Sequence, residues 1–157
     1  MARGNPSSSP RGVTEYVTVM VAGQMFGLPI ACVHDVFVPD RMTKVPRAPP
    51  EIAGVLNLRG RIVTAIDMRL RLGLPARDAQ ARSMAVGIDE NGESYGLLVD
   101  SVGEVLTLAD NALERNPINL DTRMAGISTG VHRLEGQLLI ALDIDRVLDV
   151  GAQATAG

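Results

Sequence analysis

Gly126-Ile127-Ser128-Thr129-Gly130 has the G-x-S-x-G spacing that holds a serine nucleophile on a sharp turn in one large class of hydrolases. That chemistry needs an acid and then a histidine after the serine. Only His132 follows, and Thr129, Gly130 and Val131 supply no acid between them. Cys32-x-His34 could begin a metal site, but no further ligands stand at metal spacing and His132 lies in the other half of the chain. No phosphate-cradling G-x-x-x-x-G-K-[ST] occurs, and Lys44 is the only lysine. Asp67 and Asp143 each sit inside an apolar run and could pair as acid and base. Their matched positions instead predict carboxylates that accept backbone N–H groups at strand ends, because a buried carboxylate without partners is expensive. The residue types are those of chemistry; the spacings predict no catalytic site, no metal and no cofactor.

The elements that carry these residues occur twice. Phe26-Gly27-Leu28, Val33, Asp35 and Val36 are matched by Tyr95-Gly96-Leu97, Val102, Glu104 and Val105, each 69 residues later. Gly60 to Met68 is matched by Gly136 to Ile144 at a distance of 76 residues, the difference being loop insertion. Two like units of about seventy residues follow, longer and fewer than the repeats of a solenoid. A unit of that size buries only about 60% of its unfolded surface, so the two are expected to fold together. The acids Asp35 and Glu104 repeat without a single chemical reading. Asn57-Leu58-Arg59-Gly60 against Arg133-Leu134-Glu135-Gly136 is sharper: Gly and Leu persist, while Arg59 and Glu135 reverse charge at one structural address.

Period-two alternation dominates. Tyr16–Val21 and Met25–Leu28 read as a hairpin turned by Ala22-Gly23-Gln24. Met84–Asp89 and Glu93–Val99 read as another, around Asn91-Gly92, whose residues tolerate the positive φ of a type I′ turn. Ile62–Met68 and Leu138–Ile144 read as strands buried on both faces. Helical turns are expected at Ile30–Val36 and at Pro50–Leu56, with Pro50 at a first helical position. Residues 1–13 and 151–157 read as tails and Gly73–Arg82 as the link between halves. The class is all-β: two five-stranded barrels, the first over about 24–75, the second over about 83–148, with the first strand available to either.

Composition narrows the partners. The apolar share of 46% supplies a core, but two Phe, two Tyr and no Trp leave little for stacking bases. A net charge of −3, spread over both halves, lacks the clustered basic face that tracks phosphates. Fourteen of the fifteen basic residues are arginine, and the lone Cys32 excludes an internal disulfide. No apolar run approaches membrane-spanning length and no signal-peptide core follows the start, so a cytoplasmic protein is expected.

Ile52-Ala53-Gly54-Val55-Leu56-Asn57-Leu58-Arg59-Gly60-Arg61-Ile62-Val63-Thr64-Ala65-Ile66-Asp67-Met68-Arg69 closely resembles the central signature of the CheW-type coupling proteins of bacterial chemotaxis. Gly96 to Leu106 is similar to a second signature of that family, and the likeness runs from about Glu15 to Asp149. The resemblance implies two SH3-like barrels on a shared core, no enzymatic activity, and an adaptor between chemoreceptor cytoplasmic tips and the regulatory domain of the histidine kinase CheA. Other CheW-like domains are further implied partners. It implies receptor binding at Val33, Asp35, Asn57, Leu58, Arg59, Gly60 and Val105, and kinase binding at Asp35, Val36, Glu114 and Arg115. Two positions depart from the family: its acid is usually Glu where Asp35 stands, and its basic and aromatic pair in a second kinase contact is replaced around Glu114, Arg115 and Asn119. An Asp35–Arg59 ion pair across the groove is expected to couple the two binding sites. The competing readings are a small-barrel nucleic-acid module, a hydrolase built on Ser128, and a coupling protein of a non-flagellar pathway.

Overall fold

The computed structural model describes residues 12–75 and 83–149. Within them lie ten strands: β1 (Val13–Val21), β2 (Gln24–Pro29), β3 (Val33–Phe37), β4 (Ile52–Leu58), β5 (Arg61–Asp67), β6 (Met84–Glu90), β7 (Glu93–Val99), β8 (Ser101–Ala109), β9 (Ser128–Leu134) and β10 (Gln137–Leu142). Three single-turn helices accompany them, α1 (Met68–Arg71), α2 (Thr122–Gly126) and α3 (Ile144–Val147). The strands form two five-stranded sheets, ordered β8-β1-β2-β10-β9 and β3-β6-β7-β5-β4.

Replacing each strand of β1–β5 by its repeat counterpart in β6–β10 turns one order into the other. Yet neither sheet is one repeat. β1 and β2 pair with β8 and β10, while β6 and β7 pair with β3 and β5. The parallel registers agree residue for residue: Phe26 faces Ile140 and Gly27 faces Ala141, as Tyr95 faces Thr64 and Gly96 faces Ala65. Each repeat has therefore given its first hairpin to the other. This corrects the expected division at 24–75 and 83–148, because β2 leaves β3–β5 and β6–β7 leave β8–β10. Strand order is decided by which edge completes a hairpin, and chain proximity does not reveal it. Of the expected link, residues 76–82 lie outside the described residues, as do the tails apart from Gly12 and Val13.

Alternation explains the packing. Val17, Val19 and Val21 of β1, Val86 and Ile88 of β6, Leu97 and Val99 of β7, and Ile140 and Leu142 of β10 meet in one core between the sheets. The opposite faces close small cores of their own. Leu56, Val63, Ala65, Ala85 and Leu98 fill the curl of one sheet, and Tyr16, Leu139 and Ala141 that of the other. Two-sided burial is why the central strands read as continuous apolar runs. It holds throughout Leu139–Leu142, but Ile62 on β5 is 62% exposed.

Both expected helical turns are corrected. Only Ile30–Cys32 forms a 3-10 turn, after which Val33–Phe37 is strand, since β-branched residues there pair with β6. Ile52–Leu58 is strand β4 throughout. Gly54, at φ 156, cannot be helical, and a Cβ there would stand 2.6 Å from the Thr43 carbonyl oxygen. Its counterpart Gly130, at φ 149, has the same relation to the Glu114 carbonyl at 2.5 Å, where the β8–β9 connection bridges β9 as Thr43 bridges β4. Asp67 and Asp143 do what their positions predict. Asp67 Oδ1 accepts from the Arg69 and Leu70 N–H groups at 2.9 and 3.4 Å, and Asp143 Oδ1 from Arg146 N–H at 3.3 Å, capping α1 and α3.

The chain crosses between sheets at Ile30–Cys32 and at Asp100. The second crossing is clamped. Arg69 Nε and Nη2 donate to the two Asp100 oxygens at 3.1 and 2.8 Å, and Asp100 Oδ2 also accepts from Ala22 N–H at 2.8 Å. Both side chains are largely shielded, at 21% and 25% exposure, so Arg69→Ala is expected to cost about 1.5–3 kcal/mol, the range for hydrogen bonds to charged groups. Thermal unfolding reads this as a lower Tm; an unchanged Tm would mean that the clamp adds nothing. His132 supplies a second expectation. It is 2% exposed, packs edge-on against Tyr16 at 5.7 Å and leaves Nε2 without a hydrogen bond. Burial lowers its pKa below 6.5, opposed by Asp110 and Glu114. The fold therefore prefers neutral imidazole, and stability present above pH 6.5 is lost as pH falls below that value toward the lowered pKa. His132→Phe should flatten the Tm profile through this window, and a profile as steep as wild type would refute the assignment.

Candidate functional site

Asn57, Leu58, Arg59 and Gly60 close the β4–β5 hairpin. Arg59 and Gly60 both take positive φ, 54 and 86, the geometry of a type I′ turn. The Asn57 side-chain oxygen accepts the Gly60 N–H at 2.8 Å, fixing the turn. Arg59 is a non-glycine residue in the left-handed region, a conformation that costs about 1 kcal/mol or more. It is exposed, and among the described residues its guanidinium makes no hydrogen bond or ion pair. A residue held at some strain with an unused forked cation points outward. In the other repeat the same address is differently employed, for Arg133, the counterpart of Asn57, donates to Glu114 Oε1 at 3.0 Å.

Val33, Asp35 and Val36 lie on β3, at one edge of its sheet. Val33 packs against the shared core and Val36 is 41% exposed. Asp35 folds inward over Gly87, its Cα partner in β6, and a Cβ at Gly87 would collide with Asp35 Oδ1. That oxygen is buried and accepts no hydrogen bond. In the other sheet Thr18 of β1 occupies the place of Gly87. Its hydroxyl donates to the Glu104 carbonyl at 2.7 Å, and Glu104 itself is exposed. One acid is thus tucked in and its twin turned out, which the repeated pattern alone does not distinguish. Val105, the counterpart of Val36, is likewise exposed, at 45%.

The expected Asp35–Arg59 pair is not formed. β3 and β4 are opposite edges of their sheet, and among the described residues no ion pair or hydrogen bond joins the two side chains. Glu114 and Arg115 lie on the β8–β9 connection along the other sheet; Glu114 is engaged by Arg133, while Arg115 is exposed. The sequence reading missed the apolar residues left in water. Val38, Met42 and Val45 follow β3, and Ile118 on the β8–β9 connection is fully exposed. The available signal was apolar side chains inside Pro- and Arg-rich loops.

A cleft of about 320 Å³ opens where the sheets meet, bounded by Pro29, Cys32, Glu90, Thr129 and Asp145. A hydrogen bond with Asp145 and then burial push the Glu90 carboxyl up, and burial raises the Cys32 thiol. The nucleophile pattern is inert here. Ser128 is buried on β9, donates to Asn116 Oδ1 at 2.9 Å and accepts the Gly130 N–H at 2.9 Å, with no hydrogen bond to His132. Among the described residues no three His, Cys, Asp or Glu side chains gather to hold a metal, and no helix is long and apolar enough to cross a membrane. The surface offers docking edges and a cleft.

Comparison with known proteins agrees with that reading. The family model described as CheW-like domain matches residues 15–151. A "Chemotaxis protein CheW" of Rhizobium meliloti is 29% identical over 136 residues, covering 87% of this chain and 88% of its own. One from Thermotoga maritima is 32% identical over 108 residues, covering 69% and 70%. Among solved structures, the scaffolding protein TtCheW from Thermoanaerobacter tengcongensis superimposes with a TM-score of 0.72 at 30% identity, covering 82% of this chain and 88% of that one. Matched by that family model over most of its length, the chain belongs to the CheW-like domain family, whose members are chemotaxis scaffolds and not enzymes.

Proposed function

We propose that this protein is a bivalent adaptor joining the cytoplasmic tips of chemoreceptors to the regulatory domain of the histidine kinase CheA. The observation that carries the reading is Arg59: an exposed guanidinium, without a hydrogen bond or ion pair among the described residues, held by a strained turn inside the family's central signature. On this reading Asn57 to Gly60, with Val33, Asp35 and Val105, meets the receptor. A receptor helix would lay its apolar stripe against the junction of the sheets, with Arg59 as a fixed forked donor at its rim. The kinase meets the β3 side, where Val36, Val38, Met42 and Val45 are exposed. A second kinase or CheW-like contact along the β8–β9 connection would differ from that of other members, since Glu114 and Asn119 stand where some use a basic and an aromatic residue. Contacts that are weak singly become durable when both partners are engaged, because the second binding step is effectively intramolecular. A receptor state then alters how the adaptor seats the kinase, a shift between populations.

Arg59→Glu is expected to fold normally and to lose receptor-dependent control of the kinase. The measurement is ternary co-sedimentation with receptor tips and kinase, beside a melting curve. Normal assembly by the folded variant would overturn the receptor site. Asp35→Asn and Arg59→Ala should affect stability independently, adding to within about 0.5 kcal/mol as separated residues do. A larger coupling in a double-mutant cycle by denaturant unfolding would show that the two side chains meet in solution.

A further inference from the structure

The β1–β2 hairpin is docked entirely on strands of the other repeat: β1 on β8 from Val13–Ala109 to Met20–Ser101, and β2 on β10 from Met25–Leu139 to Gly27–Ala141. Its only covalent tie to β3 is the 3-10 turn Ile30–Cys32. That turn has no fully buried residue, although Ile30 and Cys32 pack partly against the shared core, and it has no side-chain cap at Pro29. The first crossing therefore lacks the ionic clamp that Arg69 and Asp100 give the second. In the matching places stand Asp145 for Arg69 and Ala31 for Asp100, and the acid-lined cleft beside Cys32 replaces the ion pair.

We infer that the β1–β2 hairpin exchanges between two copies of this chain, giving a dimer in which each hairpin completes the β8-β10-β9 sheet of its partner. The chain already performs this exchange internally between its repeats, with matching registers, so the docking surface is one that accepts a hairpin from elsewhere. Every pairing of the monomer recurs in the dimer. The two states differ at the hinge and in the entropy of association, which is the general circumstance for hairpin exchange between identical subunits. A tethered hairpin acts at an effective concentration of about millimolar. The monomer accordingly dominates in dilute solution and the dimer grows by mass action.

The test uses the full chain with Cys32→Ala. One version carries Glu15→Cys and the other Thr107→Cys, two residues that face one another across β1 and β8. The two are unfolded together, refolded and oxidised. The expected result is a covalent heterodimer whose yield rises in proportion to protein concentration and exceeds that of a control pair, Asn91→Cys with Thr107→Cys. A yield equal to the control at every concentration overturns the inference. Deleting Ala31 shortens the hinge and is expected to convert the folded chain from monomer to dimer by light scattering; a folded monomer overturns the inference. If that deletion does not fold, the co-refolding yield decides alone.

Discussion

Neither repeat can cover its own apolar strands, and this constraint governs the molecule. The first hairpin of each unit has two hydrophobic faces. One finds the shared core between the sheets, and the other closes a small core inside the sheet built from the opposite repeat. Burying a Val, Leu or Ile side chain is worth about 1.5–3 kcal/mol, and much of that return comes from residues far away in the chain. Folding is for that reason an affair of both repeats at once. The short hairpin turns and the acid caps on α1 and α3 only trim ends whose position the exchange has already decided.

Duplication supplies the frame, and departures from it supply the chemistry. Gly87 lets Asp35 fold inward, whereas Thr18 at the matching place turns Glu104 out. Arg69 clamps one crossing with a forked ion pair, while the other crossing has an open cleft flanked by Glu90 and Asp145. Arg133 is engaged with Glu114 and Glu135 takes the place of Arg59 at the turn, so among the described residues the free guanidinium of Arg59 has no match in the second repeat. These substitutions make the two repeats chemically unlike at matching addresses.

Arg59 shows how stability and interaction part company. A glycine or asparagine would relax into the left-handed turn more easily, and an ion pair would quiet the charge. Among the described residues Arg59 has neither. The buried, unpartnered oxygen of Asp35 and the fully exposed Ile118 are further places where the isolated protein is not at its most comfortable. They cluster on strand edges and connections, away from the cores.

Several levels of this protein were legible in the residues alone. The duplication, the Asn91-Gly92 hairpin, the all-β class, the capping aspartates and the family signature are local patterns, and local patterns survive being read in one dimension. β4 and the strand after Cys32 were misread as helical because a proline start and a short apolar run do not separate strand from helix; pairing with Thr43 and with β6 does. The barrel boundaries and the Asp35–Arg59 contact could not be read either. Which hairpin completes which sheet is set by edges meeting across some hundred residues, and which acid turns inward is set by whether a glycine or a threonine lies opposite. Sequence determined the two units and their markers. Only tertiary structure decided how they interlock, since that choice depends on the fit of surfaces the chain brings together after it has folded.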